Sequence, residues 1–158
     1  MNIIQKTFMK AVAKGFRPTI RNAYLTQGDL YKAFYKKNGK EALPIITEIA
    51  SKRGVEQAKI IRKMMTVKDM KGIGEVFNIM DTTMEMGMQV IELSDDRIHF
   101  KMPGCVLGLE GTSQELCEAT MNTEKNMIST LLGQEVEATI VKSVAAGDRE
   151  CEVILSIK

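Results

Sequence analysis

The residues of this chain best able to do chemistry are three thiols and one imidazole: Cys105, Cys117, Cys151 and His99. Thiolate sulfur and imidazole nitrogen are common zinc ligands, and a thiol beside a base is a nucleophile. The sequence holds no Cys-x-x-Cys pair, no nucleophile elbow and no Cys/His pairing motif. Two readings therefore stand side by side. The thiols form a site gathered from distant segments, or they are small buried hydrophobes at a tight corner. An odd cysteine count without an export signal speaks against a disulfide framework.

The elements that carry these residues follow from periodicity. Ile4, Phe8 and Ala11-Val12 recur at helical spacing, with Gly15 as a stop and Pro18 in a link. A second helix spans residues 22–37, with Leu25, Leu30, Ala33 and Phe34 apolar, and ends at Asn38-Gly39. A third has Pro44 in its first turn, where a missing amide proton costs little. Its expected buried side is Ile45, Ile49, Val55, Ala58, Ile61 and Met65, with Gly54 permitting close packing or a kink. A fourth runs to Gly87.

The period then changes to two. Residues 88–93 and 97–102 form a hairpin about Ser94-Asp95-Asp96, and Pro103-Gly104 closes it. A helix within residues 111–132 follows, capped by Thr112 or Ser113 and ended by Gly133. A second hairpin turns at Ala146-Gly147-Asp148. The expected fold is α+β: a helical N-terminal half (1–87), then hairpin, helix, hairpin (88–158), forming an antiparallel sheet packed with helices in a single domain of 158 residues. In the last strand Cys151, Val153, Leu155 and Ile157 share the apolar face, so Cys151 points inward. On the late helix Cys117, Met121, Glu124, Ile128 and Leu131 form one stripe. Cys105 lies in the loop after the first hairpin.

Charge is uneven although the net is only +2. Residues 1–72 carry 16 Lys/Arg against 5 Asp/Glu, and residues 73–158 carry 6 against 15. The basic half interleaves Tyr31, Phe34 and Tyr35 with lysines but has no helix-turn-helix or other nucleic-acid module. Solvated lysines around a core Phe34 are the expected outcome, and nucleic acid is not an expected partner. No apolar run approaches the roughly 18–20 residues of a membrane span. The first residues are too polar for a signal core, so a cytoplasmic location is expected. Gly72-Ile73-Gly74 is too short to mark a dinucleotide site, and no nucleotide cofactor is expected. Twelve methionines, with no Trp and five Phe, suit either an adaptable pocket or an ordinary core with flexible filler.

From Cys105 through LGLEGTSQELCEA, the helix to LLG, and VAAGDREC, the chain resembles the vinyl-4-reductase domain family, small domains that bind hydrocarbon-like or other small molecules. The resemblance implies a pocket between the helical half and the sheet. Met80, Met84, Phe100, Met121 and Ile128 are its candidate lining. It also implies a homodimer built through the helical half. Some relatives, sensor domains of aromatic-responsive regulators, hold a structural zinc through three cysteines and a glutamate. Cys117 and Cys151 match the first and last of those cysteines. The middle cysteine position falls at Ser143 and the glutamate position near Ile140, so Cys105 and His99 are the candidate replacements if zinc is bound. Packed thiols are the competing outcome.

The same segment is similar to the 2-amino-thiazoline-4-carboxylate hydrolase-like proteins, which share the Gly-Asp-x-x-Cys ending and an upstream helical cysteine. That resemblance implies Cys117 or Cys105 as nucleophile, with Glu110, Glu124 or His99 as base. Related folds in transport protein particle subunits add a third possibility, a dimeric protein-interaction scaffold. The leading expectation is binding or sensing of a small, largely apolar ligand, without catalysis.

Overall fold

The computed structural model describes residues 3–158, with side chains from residue 14 onward. The inward facing of Ile4, Phe8, Ala11 and Val12 lies outside the described side chains. Helices α1 (Ile3–Asn38), α2 (Ala42–Met64) and α3 (Met70–Met84) precede strands β1 (Gln89–Leu93) and β2 (Arg97–Met102). Helix α4 (Gln114–Leu132) follows, then β3 (Val136–Lys142) and β4 (Cys151–Ile157). The fold is α+β with one open, wholly antiparallel sheet in the order β1-β2-β4-β3.

The first two expected helices are one. Helix α1 runs through both Gly15 and Pro18. An interior proline costs a helix roughly 3 kcal/mol, so tertiary contacts must hold this region. Arg17 supplies them. Its guanidinium donates to the carbonyl oxygens of Thr83 (2.7 Å) and Thr82 (3.3 Å) and pairs with Glu85 at 2.5 Å. The helix therefore crosses its proline while tied to the last turn of α3.

Helix α2 also departs from its apparent apolar side. Ile45 and Ile49 are exposed, and Ala42, Ile46, Ala50, Gly54 and Ala58 are buried. These five stand four apart and lay a mostly small-residue seam against α4, the helix that α2 packs along most extensively. A Cβ at Gly54 would overlap the carbonyl oxygen of Thr123 and approach the Met127 nitrogen to 2.8 Å. Close backbone approach outweighs the burial of two isoleucines here, because the small seam brings many more atoms into contact.

Helix α4 begins where Ser113 accepts from the Leu116 amide (3.2 Å) and ends on Gly133 at φ 69°. Its inward side meets the apolar face of the sheet. Ile98 and Phe100 of β2, Val153 and Leu155 of β4, and Val136 of β3 form that face with Phe77 of α3 and Met127, Ile128 and Leu131 of α4. Strand β4 lies in the interior of the sheet, with Met102 opposite Cys151 and Phe100 opposite Val153 on one side and Val136 opposite Ile157 on the other.

Candidate functional site

A cavity of about 590 Å³ lies between the helices, the loop after β2, and the inner face of the sheet. Phe77, Phe100 and Val153 contribute apolar wall, the two rings meeting edge to face with centroids 5.4 Å apart. Met80, Met84, Met86, Met88, Met102 and Met121 add flexible thioether lining. Such side chains re-pack around varied shapes.

The structure places four of the five expected pocket residues, Met80, Met84, Phe100 and Met121, on this cavity. Ile128 is not among its lining. It is fully buried in the core beneath, against the sheet.

The three thiols do converge on the cavity. Cys117 arrives on the inward stripe of α4, Cys151 at the start of β4, and Cys105 from the loop, where its amide donates to Glu110 (3.1 Å). Helix α1 clamps that loop: a Cβ at Gly28 would overlap the Leu107 carbonyl. Burial pushes all three thiols up, and Cys117 reaches about 11 despite an opposing hydrogen bond with Ser143. They are neutral thiols near neutral pH, so none is primed as a nucleophile.

His99 does not join them. It stands on β2 between Ile98 and Phe100, whose side chains face inward, and bonds Glu152 on the opposite side of the sheet at 2.9 Å. Ser143 accepts from the Ala145 amide, and its own amide donates to Asp148. Ile140 packs against an apolar cluster. Among the described residues, no three His, Cys, Asp or Glu side chains are grouped to hold a metal ion.

Besides threonines, Gln27 and Lys142 of β3, the polar lining includes four residues from three helices: Tyr24 of α1, Arg53 and Gln57 of α2, and Glu124 of α4. Burial raises the Glu124 carboxyl to about 7, and it also raises Tyr24, with Glu124 adding to the effect. Of these four, Glu124 was legible as a carboxylate within an apolar stripe. Tyr24, Arg53 and Gln57 carry no such signal, since each is an ordinary polar residue on its own helix.

No family model matches the chain, and no curated protein matches it. Solved structures do. The phenol-responsive sensory domain of the transcription activator PoxR, crystallised with phenol, aligns with a TM-score of 0.63 at 15% identity, over 85% of this chain and 74% of that one. A trafficking protein particle complex subunit 3 from Naegleria fowleri, covalently bound to palmitic acid, aligns with a TM-score of 0.64 at 14% identity, over 87% and 94%. At these identities the similarity is one of fold: this chain shares the α+β architecture of a small-molecule sensory domain and of a trafficking-complex subunit.

Proposed function

We propose that this chain is a ligand-binding or sensing domain of the vinyl-4-reductase type that takes a small, largely apolar molecule into the cavity under α4. One observation carries the reading: about 590 Å³ with a largely apolar lining that includes six methionines and two phenylalanines, together with polar groups such as Tyr24, Gln57 and Glu124. That is the composition expected of a small-molecule site. The fold of the phenol-responsive sensory domain supports it. The thiols serve as neutral wall groups. No helix among the described residues is long and apolar enough to cross a membrane. Pairing of two copies through the helical half belongs to the same reading, supported by exposed Leu25 and Leu30 on α1. Sedimentation at rising concentration tests it, and a constant monomer mass removes it.

The test of binding is thermal unfolding with a panel of small apolar molecules, phenol and palmitate among them. A ligand that binds only the folded chain raises Tm in proportion to its occupancy. Met121→Trp fills the cavity and is expected to abolish the shift. A folded protein that no member of the panel stabilises overturns the reading. So does a Met121→Trp chain that responds as strongly as the native one.

A further inference from the structure

Glu124 stands out within the cavity. It projects from the middle of α4 in the same inward stripe as Met121 and Ile128. Among the described residues its side chain makes no hydrogen bond to another side chain and no ion pair. Glu124 is half-buried at the cavity wall, and a carboxylate set in mainly apolar lining with no ion pair gains from a cation placed beside it.

The basic groups near the cavity do not supply that partner. Lys142 borders it, but its Nζ is held by Glu150 (3.0 Å) and Glu152 (2.8 Å) on the far side of the sheet. Arg53 of α2 is exposed and also borders the cavity, but it forms no ion pair with Glu124. The other titratable groups facing the cavity are Tyr24 of α1 and three neutral thiols, from α4, β4 and the loop. Helix α3 and strand β2 present only apolar side chains.

We propose that the cavity takes an organic amine, its apolar body lying among the methionines and phenylalanines and its protonated nitrogen received by the Glu124 carboxylate. The inference rests on the cavity being a ligand site, and it names the ligand class. An anionic head would meet repulsion from Glu124, and a neutral alcohol would leave the carboxylate uncompensated. An ammonium group restores the charge balance and donates hydrogen bonds to both carboxylate oxygens.

Calorimetric titration of the intact chain with octylamine and with octanol, which have the same alkyl body, separates the possibilities. Octylamine is expected to bind at least about tenfold more tightly than octanol near neutral pH. Its affinity should rise roughly tenfold between about pH 6 and about pH 8, as Glu124 ionises, while octanol does not follow. Glu124→Gln should bring the two ligands to equal affinity. If that variant fails to fold, the native chain decides the matter. Amine binding should release roughly half a proton per site near pH 7, read by titration in buffers of different ionisation enthalpy. Equal affinities for the two ligands, or an amine that binds without proton release, overturn the inference and leave the cavity reading standing. Failure of both ligands to bind overturns both.

Discussion

The two faces of the sheet treat a glutamate in opposite ways. On the outer face Glu152 accepts from Lys142 at 2.8 Å and bonds His99 at 2.9 Å, and Lys101 lies 3.5 Å away. Lys142 above all holds its carboxyl down at about 2. On the inner side Glu124 lines the cavity without an ion pair, and burial lifts it to about 7. The residue type is the same, and the difference lies in whether cations share its face. An outer face of paired charges is finished and needs only water. On the inner side the proposed amine would supply the cation that the outer face already has.

Stability measurements can break this contrast. The largest effect is expected on the inner face. Phe77 is almost fully buried against Phe100, and Phe77→Ala should cost about 3–5 kcal/mol in denaturant unfolding. A loss below about 1 kcal/mol would mean that the cavity wall collapses freely and is not a formed site.

The next effect depends on pH. The Glu124 carboxyl is raised above its ordinary 4.5 in the folded chain. The stability it allows is fully present below about pH 4.5 and is lost as pH rises through about 7. Glu124→Gln should therefore match the native chain in acid and exceed it by up to about 3 kcal/mol at mildly alkaline pH. Glu152 has the mirror profile. Its folded value lies below 4.5, so its contribution is present above that value and is lost as pH falls toward about 2. Glu152→Gln should flatten the acid limb of the stability profile and leave the alkaline limb alone. Identical pH profiles for the two variants would erase the distinction between the faces.

Gly54→Ala probes the close seam between α2 and α4. Its added methyl would overlap the Thr123 carbonyl and press α4 away from α2. Overpacking should outweigh the gain in helix propensity and leave a net loss of about 1–3 kcal/mol. The smallest effect belongs to the outer face. Lys101→Ala removes half-exposed ion pairs with Glu150 and Glu152 and should cost under about 1 kcal/mol, less at high salt.

Much of the local structure was legible because it is written in period. Both hairpins, the Ser113 cap and the Gly133 stop stand where the side-chain pattern and turn residues put them. The inward facing of Cys151 and the α4 stripe followed from alternation and helical spacing. The same alternation already set His99 opposite Ile98 and Phe100, so its separation from the thiols was readable in β2. Pro18 misled because its cost is local, whereas the Arg17 contacts that offset it come from residues 82–85. The apolar isoleucines of α2 misled because hydrophobicity ranks them above alanine and glycine, while helix packing selected the small residues.

The sequence by itself determined most of the elements, their order and the facing of side chains in the strands and α4, because these depend on neighbours within a few positions along the chain. Only the tertiary structure decided that β4 would lie between β2 and β3, that Cys105, Cys117 and Cys151 would meet at one cavity, and that Tyr24, Arg53, Gln57 and Glu124 would line it together. Those outcomes depend on which faces pack against which. That choice is made by close contact between segments far apart in the chain, and no local period records it.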